Sequence, residues 1–154
     1  MSRLLCQFSC GAASAVATKM TIARNAGAVP LIVLNAYLIN EHADNRRFAA
    51  DCARWFGMPL TVLRDEKYGA DIITVFRTRG YMKGPHGAPC TTHLKRKLLK
   101  TVELPGDVLV LGYDASEVDR FEDFQERNPD RPARAPLIEA GLDRSEERRV
   151  GKEC

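Results

Sequence analysis

The sequence predicts a three-layer α/β domain built on a mostly parallel sheet. Short apolar runs alternate with stretches of helical period along the chain. The connections have the length that right-handed crossovers between parallel strands require. The most polar and glycine-rich segments fall directly after the apolar runs. An open α/β sheet gathers its ligand loops there, beyond the carboxyl ends of its strands.

Arg3 to Phe8 reads as a buried strand, and Ser14 to Asn25 as a helix with Gly27 as its stop. Val29 to Asn35 is a second, nearly all-apolar strand, as a sheet covered on both faces demands. Glu41 to Phe56 carries Phe48, Ala49, Cys52, Ala53 and Phe56 at helical spacing, with Gly57 behind it. Leu60 to Leu63 is a short third strand, and Tyr68 to Thr78 a helix. Arg79 to Pro89 is a Gly- and Pro-rich loop, followed by a basic helix over Thr91 to Thr101. Asp107 to Leu111 gives a fourth strand and Ser116 to Arg127 a helix that Asn128-Pro129 ends. Ala135 to Ile138 is the expected last strand.

A chain of 154 residues, 45% of them hydrophobic, is enough for one domain with a genuine core. No apolar run is long enough to cross a membrane, and the N-terminus has no signal-peptide pattern. The expected location is therefore the cytoplasm. A net charge of +3 neither calls for a nucleic-acid partner nor forbids one. Cys6, Cys10, Cys52 and Cys90 are scattered, with no Cys-x-x-Cys pair, which argues against a disulfide framework and a zinc site.

Four segments carry the chemistry. Ser9, Cys10, Gly11, Ala12, Ala13 and Ser14 lie between the first strand and its helix. Small side chains there let the backbone approach an anion, the unpaired N–H groups of the helix start point at it, and Ser9 and Ser14 can add hydroxyl donors. The same small residues also serve helix–strand packing alone. Asn35 and Tyr37 end the second strand and lead to Glu41, where side chains either face a nucleoside or start a helix. His42 reads as an exposed helix-start residue. Cys90 at a helix start, with Lys95, Arg96 and Lys97 close behind, is either a nucleophile or a packed thiol. Gly112 after the fourth strand permits close approach. Ser116 with Asp119 resembles a capping box, and Glu117 with Arg120 suits a helical ion pair.

In this order the segments resemble the phosphoadenosine phosphosulfate (PAPS) reductase family, within the PP-loop adenine-nucleotide superfamily. Ser9-Cys-Gly-Ala-Ala-Ser14 resembles the PP-loop Ser-Gly-Gly-x-Asp-Ser pattern. Asn35 to Glu41 resembles an Asp-Thr-Gly-Tyr-Leu-Phe-Pro-Glu segment. Cys90 with Lys95 resembles a Cys-x-x-x-x-Lys element, and Gly112 to Arg120 a Gly-x-Arg-x-x-Glu-Ser-x-x-Arg motif. A Ser-Cys-Gly-Ala-Ala-Ser loop paired with Gly-Ala-Pro-Cys-Thr is similar to uncharacterised reductase-domain proteins of bacteriophages and bacteria.

The resemblance covers residues 1 to about 142. It implies an adenine-nucleotide α-hydrolase-like fold that binds ATP or PAPS for sulfur- or nucleotidyl-transfer chemistry, as an oxidoreductase or transferase. It places Ser9 to Ser14, Asn35, Tyr37, Glu41, Gly112, Glu117 and Arg120 at the nucleotide, and Cys90 and Lys95 in catalytic positions. Mg2+ would accompany ATP, although Ala13 stands where the ATP-hydrolysing loop carries an acid. The reductases' C-terminal cysteine motif has no counterpart here. An ATP-activating enzyme that modifies RNA or another biopolymer, and a non-catalytic nucleotide-binding module, stand as alternatives. Residues 144–154 resemble the in-frame translation of a sequencing adapter, so the expected domain is 1–143 and Cys154 is set aside.

Overall fold

The computed structural model describes residues 2–85 and 87–143. The adapter-like segment and Cys154 lie outside the described residues. The strands are β1 (Leu4–Gln7), β2 (Leu31–Tyr37), β3 (Thr61–Arg64), β4 (Val108–Val110) and β5 (Ala133–Arg134). Their order in the sheet is β3-β2-β1-β4-β5 and every pairing is parallel, with Leu4 opposite Leu31 on one side and Val108 on the other.

Helices α1 (Ala12–Asn25) and α2 (Ala43–Phe56) follow β1 and β2. Helix α3 (Ile72–Arg79) follows β3. Pro89–Thr91, a π-helical Thr92–Arg96 and Lys97–Lys100 run on as one helix, α4. A 3-10 turn at Ala115–Glu117 leads into α5 (Val118–Arg127), and α6 is Pro136–Glu139.

Strand alternation sorts the core into two faces. Cys6 of β1 and Phe8 just beyond it face the α1 and α2 side, with Val33, Ala15, Ala49, Cys52 and Phe56. Phe8 meets Phe56 edge-on at 5.6 Å between ring centroids. Leu5, Leu34, Leu109 and Leu111 face the other side, against Leu99, Phe121 and Phe124 of α4 and α5. Full burial of a leucine contributes roughly 1.5–3 kcal/mol, so Leu5, Leu34 and Leu109 alone anchor that face strongly. A third cluster, Tyr68, Val75 and Leu94 with Cys90, holds α3 against α4 beyond the strand ends. The three-layer α/β reading stands, and the sheet is wholly rather than mostly parallel.

Several boundaries differ from expectation. Helix α1 starts at Ala12, not Ser14, and its left-handed C-cap is Ala26 (φ 46°) rather than Gly27. Ser116 is not the cap of the helix after β4. Asp114 caps the 3-10 turn that leads into α5: its carboxylate accepts from Ser116 N, while the Glu117 carboxylate accepts from Asp114 N, so the capping box is Asp114 with Glu117. The last strand is Ala133–Arg134, and Pro136–Glu139 is helical. Pro136 has no N–H for a strand ladder but suits a first helical turn.

Candidate functional site

The sheet's order places β2 and β3 on one side of β1, and β4 on the other. The loops after β1 and β4 therefore diverge, and a crevice opens between them. It is a cleft of about 550 Å³, walled by Ser9, Gly11, Ala12, Ala13 and Ser14 from the first loop. Gly112, Tyr113, Glu117 and Arg120 form the wall after β4. Thr91, Lys95 and Arg96 of α4 form another, and Ala36 and Glu41 close the β2 end.

The first loop is built around one side chain. The Ser14 hydroxyl accepts from Ser9 N at 3.1 Å, donates to Gly11 O at 3.1 Å and lies 3.1 Å from the Ser9 hydroxyl. The single Ser14 proton goes to Gly11 O, so Ser9 is the donor between the two hydroxyls. Both hydroxyl protons thus hold the loop in shape. Cys10 is forced into a left-handed conformation, φ 61°. Gly11 caps α1 with no side-chain hydrogen bond, and the first turn of α1 carries no acid. An anion at this corner would meet backbone N–H groups unscreened by any carboxylate on the helix start.

Beside the loop, Asn35 is buried and ties three elements together. Its amide donates to Phe8 O at 2.8 Å and its carbonyl accepts from Arg46 Nη2 at 2.9 Å. Arg46 Nη2 also reaches Glu41 Oε2 at 3.2 Å and lies 3.4 Å from Cys10 Sγ. The Tyr37 ring is covered by Arg46 at 5.0 Å and by Arg64 at 5.3 Å. Burial pushes the Cys10 thiol up, and the Arg46 charge opposes that rise. Asn35, Tyr37 and Cys10 thus sit behind the cleft wall, in the layer that positions it.

Lys95 faces the cleft, but Cys90 does not line it. One turn earlier on α4, Cys90 packs half-buried in the cluster with Tyr68, Val75 and Leu94. Glu117 is shared between the Asp114 cap and Arg120, which it holds at 2.5 Å. Arg120 lies over the Tyr113 ring at 5.4 Å. His42 caps α2, its Nδ1 accepting from Asp44 N. Sequence reading missed Arg46, Tyr113 and Asp114. Arg46 is one of an arginine pair on a helix, which reads as solvated surface. The Asp-x-x-Glu spacing of Asp114 and Glu117 was a readable capping signal.

No protein-family model matches the chain. No curated protein matches it. Among solved structures, the U34-tRNA thiolase NcsA from Methanococcus maripaludis, solved with its [4Fe-4S] cluster, is similar with a TM-score of 0.64 and 15% identity. The match covers 99% of this chain and 56% of the thiolase, so the chain spans about half the thiolase's length. The cysteines here do not fit such a cluster. Cys6 and Cys52 are buried in apolar core, Cys90 is in a separate one, and no group of three metal-ligating side chains exists among the described residues. What this chain and the thiolase share is the α/β fold.

Proposed function

We propose that the cleft binds an adenine nucleotide, with ATP preferred, and that residues 1–143 serve a PP-loop type of group activation on a biopolymer acceptor. The observation that carries this reading is the N-terminus of α1, free of any side-chain cap, opening into the cleft at the sheet's switch point. The phosphates would lie on the N–H groups of Ala12, Ala13 and Ser14. The nucleoside would lie toward the β2 end, near Glu41, on the wall that Asn35 and Tyr37 hold in place. Lys95, Arg96 and Arg120 would face the reacting phosphate. An acceptor oxygen would attack the α-phosphorus, the bond to the bridging oxygen would break, and pyrophosphate would leave. The cations would stabilise the charge gathered on the phosphoryl oxygens. Mg2+ would enter with the nucleotide, since Ala13 supplies no carboxylate of its own.

Fold likeness to a tRNA thiolase supports the biopolymer-modifying reading over a sulfite-forming reductase. A sulfonucleotide remains the second reading, favoured by Ala13, because PAPS needs no loop carboxylate for a metal. Calorimetric titration with ATP, GTP, PAPS and pyrophosphate tests both. ATP is expected to bind more tightly than GTP, and PAPS more weakly than ATP. Tighter binding of PAPS would move the assignment to the sulfonucleotide. Failure of every adenine nucleotide to bind would overturn it.

A further inference from the structure

The chain's positive charge is gathered on one stretch. From Lys67 to Lys100 there are eight lysines and arginines and one carboxylate, Asp71, although the whole chain carries only +3. The remainder is therefore net negative. Asp71 is occupied as the cap of α3 and by Asn40. Elsewhere nine arginines are ion-paired, from Arg3 with Asp107 to Arg134 with Glu139. None of the eight cations of this stretch has an acidic partner among the described residues. Asp65 and Glu66 precede the stretch, and Asp65 is bound to Tyr68 N. Like charges gathered with so few counter-charges cost stability, so their placement suits an external polyanion.

Packing gathers part of the stretch around one ring. Lys67 lies 5.3 Å over the Tyr68 ring, Arg79 donates to the Tyr68 hydroxyl at 2.9 Å, and His93 packs tilted against the same ring at 5.5 Å. Burial and the nearby charges of Arg79, Lys97 and Lys67 hold His93 toward its neutral form, with Asp65 opposing them. Farther along α4, Lys95 and Arg96 reach the cleft wall. In the loop between α3 and α4, Tyr81 and Met82 are 47% and 67% exposed beside Lys83. An exposed aromatic ring among unpaired cations is a stacking platform along a phosphate track.

We propose that this surface binds single-stranded or looped nucleic acid, with phosphates along α4 and a base on Tyr81, leading the strand to the cleft mouth. As an identification of the acceptor it rests on the reading of the cleft given above; as a binding surface it stands on its own charges. An acidic protein would match the charge but would not use the ring.

The test is fluorescence anisotropy of the full chain with labelled RNA of about twenty nucleotides, the matching DNA strand, the duplex and polyglutamate, over a salt series. Both single strands are expected to bind more tightly than duplex or polyglutamate, and a preference between the two identifies the sugar. The log affinity should fall with log salt by roughly 0.7 per phosphate contact. Arg77→Glu with Lys83→Glu and Lys97→Glu, all exposed and outside the cleft, should lower affinity at least tenfold and flatten the slope. Tyr81→Ala should weaken binding with the slope unchanged. A thermal melt confirms that each variant folds. No binding at low salt, unchanged binding by the triple variant, or equal affinity for polyglutamate would overturn the proposal. Strand binding with no nucleotide binding would leave this surface standing and remove the cleft reading. Nucleotide binding with no strand binding would do the reverse.

Discussion

A Cβ atom added to Gly112 would stand 2.8 Å from Ser14 Cα and 2.9 Å from Ser14 N. The strand-end turn after β4 and the first turn of α1 therefore meet backbone to backbone, and only glycine lets them. This contact sets the distance between the two walls of the cleft.

Gly112→Ala should move α1 away from β4 or distort the turn. Overpacking of this kind costs about 1–3 kcal/mol. Urea unfolding should show a lower midpoint, and nucleotide titration of the folded variant a weakened affinity. An alanine variant with wild-type midpoint and affinity would show that the walls adjust freely.

Ser14→Ala should disturb more than Ser9→Ala. Its hydroxyl joins Ser9 N, Ser9 Oγ and Gly11 O, whereas the Ser9 hydroxyl is exposed on one side. Loss of the hub should cost about 1–3 kcal/mol and loosen the corner. Amide hydrogen exchange at Ser9 N should accelerate in the Ser14 variant. Equal effects of the two substitutions would make the serines interchangeable donors.

The cysteines should separate by burial. Burial pushes the Cys6 thiol up to about 12 and raises Cys52 as well. Alkylation of the native protein should reach half-buried Cys90 before either. Bound nucleotide should leave Cys90 unprotected, because its side chain faces the α3 cluster. Protection mapped by mass spectrometry would place it in the cleft. The same shift carries a sign for stability. The unfolded thiol ionises near its ordinary value while folded Cys6 does not, so stability should fall as pH rises from there toward 12.

At the other end of the pH scale, the Arg3–Asp107 pair contributes. Arg3 donates to both Asp107 oxygens, at 3.0 and 2.7 Å, and Leu104 N adds a third bond. Hydrogen bonds from Arg3 hold the Asp107 carboxyl below its usual range against the burial that would raise it. Its contribution is present above the ordinary carboxylate pKa and lost as pH falls through the lower folded value. Asp107→Asn should flatten the acid limb of a stability-against-pH curve. An unchanged limb would assign acid unfolding to other carboxylates.

Local chemistry made much of this protein legible. Alternating apolar runs and helical periods specify the strands, the helices and the crossovers, because burial of periodic apolar faces is decided residue by residue. The small-residue loop at Ser9–Ser14 and the glycine after β4 were readable for the same reason: each needs only its own backbone freedom. Where the sequence misled, two local preferences competed. Ala135 to Ile138 is apolar enough for a strand, but Pro136 favours a helical start, and Leu137 is buried in a turn whose helix packs on α1.

Tertiary structure alone decided which of these residues meet. Cys90 and Lys95 share one helix five positions apart, on different faces, and the packing of α4 turns the first into the α3 cluster and the second into the cleft. Arg46 reaches Asn35, Glu41 and Cys10 from three different elements, and no spacing along the chain encodes that convergence. A linear sequence carries the periodicities that bury side chains. The distance between Gly112 and Ser14, ninety-eight positions apart, exists only once the parallel order β2-β1-β4 has brought them together.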